Sequence, residues 1–359
     1  MKALHETIEG CVNCNICVKE CAFLQKYGTP GAICKRYLSG ERSVDSPVFE
    51  CNLCGLCKEV CPKDLKVSKA FLEIRSAIQT GSKPANAVSI HTQHTTICAY
   101  EKRGGSPLFA LHQFPLKSDA VFFPGCTLAA TRSATTLKTY EYIQKIKPGC
   151  GIILDCCAKP SDDLGLTGRF RSMFTKLVDR LKAGGVKKIY TACPSCYVTF
   201  KTHAPELETL TVYELLSANP PTQLGTVTET VTVHDTCTTR HEPQIHDSVR
   251  SLIRSTGAEV AEVRHSREKT ICCGEGGSAA FIAPEITDSW KSIRKEEAVG
   301  KRVITYCTGC SSMFGNELQT THLLDLLFNR EKALKGREQR TKTPFTYLYR
   351  ILLKNRLRK

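Results

Sequence analysis

The sequence predicts a mixed α+β and α/β chain: a small helical, cysteine-bound module followed by two pseudo-symmetric α/β repeats. Three observations carry this reading. Two dense cysteine runs open the chain, a five-cysteine pattern then occurs twice between Cys126 and Cys310, and short β-rich runs alternate with amphipathic segments through that second region. Strands alternating with helices imply parallel β/α units.

The first run is Cys11, Cys14, Cys17 and Cys21, and the second is Cys51, Cys54, Cys57 and Cys61, followed by Pro62. Gaps of two residues let a loop wrap three thiolates around one face of a cubane, and the fourth cysteine completes the other cluster. Cys11, Cys14, Cys17 and Cys61 are therefore expected to hold one [4Fe–4S] cluster, and Cys51, Cys54, Cys57 and Cys21 the other. Pro62 matches the bacterial ferredoxin run, whereas Ala22 departs from it. Zinc sites favour two C-x2-C pairs at longer separation, so four cysteines this close together argue against zinc. Residues 1–85 form the expected two-cluster module, and the polar, loop-like residues 86–118 a linker.

The repeat emerges with the cysteines as the ruler. Cys126 is followed after 29 residues by Cys156-Cys157 and after 35 more by Cys193-x-x-Cys196. Cys237 is followed after 34 residues by Cys272-Cys273 and after 33 more by Cys307-x-x-Cys310. AVFFPG, GIILD and VKKIYTA precede the first set, and TVTVHDT, EKTI and RVITY the second. Helical segments such as RFRSMFTKLVDRLKAGG and IHDSVRSLIRSTGAE lie between them. In the latter, Val249, Leu252 and Ile253 recur at helical spacing and Gly257 is a C-cap candidate. Cysteines at strand ends would gather along one edge of each sheet, where α/β folds place their sites. The expected boundaries are 119–225 and 226–330, with a basic tail over 331–359.

This pattern resembles the cysteine-rich CCG domain of the B-type and D-type subunits of heterodisulfide reductase. The same domain occurs in the iron–sulfur subunits of glycolate oxidase, anaerobic glycerol-3-phosphate dehydrogenase and lactate-utilisation complexes. HDTCTTRHE, ICCGEGGS and TYCTGC are its sharpest parts, and the resemblance covers residues 5–325. It implies two further, non-cubane [4Fe–4S] clusters. Their ligands would be Cys126, Cys156, Cys157, Cys193 and Cys196 in one repeat, and Cys237, Cys272, Cys273, Cys307 and Cys310 in the other. Gly274, Gly276 and Gly277 would let backbone N–H groups approach cluster sulfur and raise its potential. The first repeat has Ala158 where a glycine is expected, which leaves its geometry open.

The 21 cysteines do not describe a disulfide framework. They are odd in number and clustered, and MKALHETIEGCVNC offers no apolar leader, so a cytoplasmic, reducing compartment is expected. Cys34, Cys98 and Cys150 are left over, as small apolar residues. His234 and His241 flank Cys237 as loop histidines, and His322 is structural. GEGGS lacks the order of a nucleotide-binding loop, and there is no flavin or nicotinamide fingerprint. The formal charge is +15, but Arg330–Lys359 carries eleven basic residues against two acidic ones. A nucleic-acid binder would spread that charge, so no nucleic-acid partner is expected. PFTYLYRILLKNRLRK could instead lie peripherally on the inner face of an anionic membrane or dock on a partner, but Arg356 interrupts the apolar stripe of Phe345 and Leu352, so a solvated helix or frayed end is an equal alternative.

The expected function is that of an electron-transfer subunit of an oxidoreductase complex. Its partner would be a flavoprotein dehydrogenase or a membrane quinone or cytochrome subunit. The alternative is a catalytic heterodisulfide reductase-like subunit that cleaves a disulfide at Cys272 and Cys273. A non-redox metal scaffold is the minor alternative.

Overall fold

A computed structural model describes residues 1–41, 43, 45–81, 88–115, 118–221, 227–315, 317–336, 341 and 345–358. The chain forms two compact units. One comprises Met1–Ala99, Ala158–Arg171 and Arg264–Glu297, and the other Tyr100–Cys157, Ser172–Val263 and Ala298–Lys359.

The first unit is helical. The helix Val67–Thr80 buries Val67, Ala70, Phe71, Ile74 and Ile78, an apolar stripe at helical spacing,. It packs against Lys2–Gly10 and Pro30–Leu38. The Glu73 carboxylate accepts the backbone N–H groups of Ala3 and Leu4 at 3.2 and 3.0 Å. It thereby satisfies open donors at the start of the first helix. Pro30 opens its helix behind the Thr29 cap,. Residues expected as a loop-like linker differ: Val88–Gly104 is helical. The segment has few breakers between Ala87 and Gly104, and the buried Ile90 and Ile97 lie on one face of it,.

The second unit holds both sheets. β1 (Leu111–Gln113), β2 (Ala120–Phe123), β3 (Gly151–Leu154), β4 (Lys188–Thr191) and β5 (Glu208–Thr211) form one sheet in the order β1-β3-β2-β4-β5. β6 (Thr230–His234), β7 (Glu259–Ala261), β8 (Val303–Thr305) and β9 (Thr321–His322) form the other, in the order β7-β6-β8-β9. Leaving β1 aside, the two orders superimpose strand for strand, and every pairing among those strands is parallel. The pseudo-symmetric α/β architecture expected from the cysteine spacing is therefore present. β2 and β3 are fully buried apolar runs, as strands covered on both faces must be,.

One strand differs from expectation. EKTI is not the counterpart of GIILD: Arg267–Lys269 is a short 3-10 turn, and β7 lies earlier, at Glu259–Ala261. Arg267 takes a left-handed backbone (φ 53°), which an extended run does not accommodate,. The second repeat thus inserts a stretch between its strand and its paired cysteines. Elsewhere Gly257, at φ 91°, closes the helix Pro243–Ser255 as expected,.

The tail is not a free end. Phe345–Leu357 is a helix that buries Leu353 and Leu357 in the core of this unit. Arg350 and Lys354 are buried with them, and each donates to backbone carbonyls. Two buried ion pairs brace this unit: within the second repeat Arg250 grips Asp235 through both terminal nitrogens at 2.9 and 2.8 Å, and Arg132 of the first repeat meets Asp325 of the second at 2.6 Å.

Candidate metal centres

The crossed pattern of the two N-terminal runs is visible in the first unit. Cys11, Cys14, Cys17 and Cys61 border one cavity, and Cys21, Cys51, Cys54 and Cys57 border a second. Cys57 also reaches the first cavity. Asn15 and Gly55, with φ of 62° and 78°, make the left-handed turns that start the short helices carrying Cys17 and Cys57. Burial, then the neighbouring Cys11, Cys61 and Cys14, push the Cys17 thiol up to about 11. Burial also raises Cys51 to about 11, against the pull of the Arg75 guanidinium. Cys21 and Cys57 rise too, through burial and then the thiols beside them. Thiols packed this closely resist joint ionisation unless a cationic core neutralises them, so the donor set fits a multi-iron group. Among the described residues, no three Cys, His, Asp or Glu side chains converge as ligands of a single metal ion.

The second unit contains the whole first five-cysteine set. β3, β2 and β4 are adjacent and parallel, so Cys156-Cys157, Cys126 and Cys193 follow them at the same edge. Gly125 makes the approach possible: it has φ 80°, and a Cβ there would meet the Cys193 Cβ at 2.8 Å. The sulfurs of Cys157 and Cys196 are 3.3 Å apart. Cys126 is drawn down to about 5, first by a hydrogen bond from Cys156 and then, against burial, by Tyr100 and the positive Arg350. Cys156 rises correspondingly, through that bond and its burial.

Beside Cys126 lies a cavity of about 160 Å³ bordered by Tyr100, Gly104, Thr127, Tyr347 and Arg350. The Tyr100 hydroxyl lies 3.4 Å from that of Thr127. Arg350 is held by the carbonyls of Phe109 and Gly104 at 3.2 and 3.0 Å. Neither Tyr100 nor Arg350 stands near these cysteines in sequence, and no motif marks them.

The second set is divided between the units. Cys237, Cys307 and Cys310 follow β6 and β8 in one, and Cys272-Cys273 belong to the other. The Gly274 N–H donates to the Cys272 sulfur at 3.2 Å, the kind of contact expected of the glycines there. Gly274 has φ 97°, and a Cβ on it would meet Thr287 at 2.4 Å. Ala158, its counterpart, adopts the same left-handed region at φ 57°. The missing glycine therefore leaves the turn of the first repeat intact.

The remaining candidates have plainer places. Cys34 and Cys150 are buried, and Cys98 is half-buried. His322 caps the helix Leu323–Phe328 by accepting the Leu324 N–H at 3.2 Å. His234 packs edge-on against Phe314.

Residues 7–65 match the 4Fe-4S dicluster domain, and residues 120–201 and 231–315 each match the cysteine-rich CCG domain. The B-type subunit of a fumarate reductase (CoM/CoB) from Methanothermobacter marburgensis is 26% identical over 89% of this chain and 70% of its own length. The D-type subunit of the dihydromethanophenazine:CoB–CoM heterodisulfide reductase from Methanosarcina barkeri is 21% identical over 84% of this chain and 86% of its own. An EtfAB:quinone oxidoreductase from Syntrophomonas wolfei is 26% identical over 36% of this chain and 19% of its own. Among solved structures, an aspartate racemase homologue from Pyrococcus horikoshii has a TM-score of 0.26 at 14% identity, covering 60% of this chain and 99% of its own. That likeness is too slight to bear on the fold. The dicluster match, the doubled cysteine-rich match and the relatives agree: the chain belongs to the iron–sulfur oxidoreductase subunits that join a ferredoxin-type dicluster domain to two CCG domains.

Proposed function

We propose that this protein carries electrons between a flavoprotein or quinone-linked partner and its own iron–sulfur sites. The observation that carries the reading is the pair of thiol-lined cavities: each is bordered by three cysteines of one run and the last cysteine of the other, and Cys57 borders both. Cys11, Cys14, Cys17 and Cys61 would hold one [4Fe–4S] group, and Cys51, Cys54, Cys57 and Cys21 the other. The five-cysteine sets would hold two more. Such groups supply one-electron carriage at potentials set by hydrogen bonds to sulfur and by burial. The chain contributes the N–H of Leu53 to the Cys51 sulfur at 3.4 Å, and that of Gly274 to Cys272.

No helix among the described residues is long and apolar enough to cross a membrane. Phe345, Leu348 and Leu352 form an exposed stripe on the terminal helix, and Arg356 and Arg358 are exposed beyond it. We assign this stripe to peripheral contact with a membrane or a membrane-bound partner.

A second reading is thiol–disulfide chemistry, which the name of the heterodisulfide reductase relatives suggests. Cys272 and Cys273, the expected pair for it, are both buried. Cys156 and Cys157 of the first repeat are buried as well, so burial does not distinguish the two repeats for such a reaction. Stopped-flow reoxidation separates the readings. Relay use predicts that the reduced protein is reoxidised by an electron-transfer flavoprotein or a quinone analogue far faster than by small disulfides. The reverse order would favour catalysis.

A further inference from the structure

The glycines after Cys273 do more than admit N–H groups to sulfur. Asn52, between the ligand candidates Cys51 and Cys54, donates its side-chain amide to the carbonyls of Gly274 and Gly276 at 2.9 and 3.1 Å. Its own amide oxygen accepts the indole N–H of the buried Trp290 at 2.9 Å. Arg75, fully buried, donates to the carbonyls of Cys51 and Gly277 at 2.6 and 3.2 Å. The two loops meet backbone to backbone. A Cβ at Gly276 would stand 2.3 Å from the Asn52 carbonyl oxygen, and one at Gly277 would stand 2.6 Å from that of Cys51.

The corresponding stretch of the first repeat shares Arg75 with the Gly277 carbonyl and lies against the helix Val67–Thr80. The Asp163 carbonyl accepts from Arg75 at 2.7 Å, and Gly165 lies against the backbone of Arg75 and Ser76, on the helix Val67–Thr80. Of the two segments that follow paired cysteines, it is that of the second repeat whose backbone is hydrogen-bonded by a residue of a cubane loop.

We propose that Asn52 is a positioning residue that fixes the Cys51–Cys54 loop against the Gly274–Gly277 loop. It thereby makes the second repeat, not the first, the electron-exchange partner of the dicluster domain. This rests on the reading that both loops carry clusters. In the exchange, a cluster held by Cys21, Cys51, Cys54 and Cys57 would give up one electron, and one held in part by Cys272 and Cys273 would accept it. A low-potential reductant restores the donor.

The test uses the anaerobic, full-length protein reduced with dithionite and freeze-quenched for electron paramagnetic resonance. Asn52→Leu should keep its full iron content and cubane signals, while reduction at Cys272-Cys273 slows by about tenfold or more, as small misplacements of reacting groups do. Asn52→Gln, which keeps the amide, should retain most of the rate. Gly276→Ala should slow the exchange, and Gly168→Ala, whose Cβ meets nothing within 4 Å, should not. If Asn52→Leu loses iron, Trp290→Phe, which removes the indole N–H bond to Asn52 while keeping an aromatic ring there, should show the same ordering at smaller amplitude. Unchanged exchange in Asn52→Leu, or in Trp290→Phe where the former loses iron, would overturn the proposal. Absence of iron at Cys272-Cys273 in the unmodified protein would instead overturn the reading beneath it.

Discussion

The Tyr213 hydroxyl lies 2.7 Å from the Tyr306 carbonyl oxygen, and the two rings meet edge to face with centroids 5.5 Å apart. The same hydroxyl is 3.0 Å from the carbonyl of Ala192. Ala192 precedes Cys193 and Tyr306 precedes Cys307, so one buried side chain sits between the strand ends of both repeats. Tyr213→Phe should cost about 1–3 kcal/mol, since buried carbonyls lose their donor. Thermal unfolding of the anaerobic protein measures this, and an unchanged midpoint would show the bond to be dispensable.

The crossed arrangement makes a prediction that chain order alone would not. Cys61 lies in the second run yet borders the cavity of Cys11, Cys14 and Cys17. Cys61→Ser should therefore damage that cluster and spare the one at Cys51, Cys54 and Cys57. Electron paramagnetic resonance of the variant distinguishes them. Selective loss of the latter would contradict the assignment.

The two turns after the paired cysteines should respond differently to exchange of glycine and alanine. Gly274→Ala places a Cβ 2.4 Å from Thr287 on a left-handed backbone. It should destabilise the protein by about 1–3 kcal/mol. Ala158→Gly relieves only left-handed strain already accommodated, so it should change stability by less than about 1 kcal/mol in either direction. Paired denaturation curves decide the matter. Equal effects at the two sites would contradict the account of Ala158.

Much of this was legible in the cysteines, because ligand spacing is set by the size of the group held, and strand ends set the rest. The parallel sheets, the doubled order of strands and the crossed cavities follow from that ruler. Other features left no local mark. The helix Val88–Gly104 has weak amphipathic character and polar composition, and its buried face is set by tertiary packing. Asn52 looks like any spacer in a C-x2-C loop, and its partner Trp290 is far away in sequence. Ala158 shows the limit of motif reading: its backbone does what a glycine was expected to do. The tail was legible as basic with apolar residues interleaved, but not that Leu353 and Leu357 anchor it in the core.

That anchoring changes how membrane contact should be tested. Deleting the helix would remove core residues, so substitution of its exposed face is the informative experiment. Phe345, Leu348 and Leu352 changed together to serine should leave the fold intact and weaken sedimentation with anionic vesicles. Binding of the unmodified protein should fall as salt rises, each basic residue near the surface contributing about 1 kcal/mol. Equal sedimentation with neutral and anionic vesicles would leave partner docking as the role of that face.

The most direct test of the account as a whole is the iron content of anaerobically purified protein, read with its Mössbauer spectrum. Two crossed four-cysteine sites and two five-cysteine sets predict about 16 irons per chain, four at each site, in two distinct types of environment. About eight irons of a single type would confine the clusters to the dicluster domain and contradict the role given to the CCG repeats.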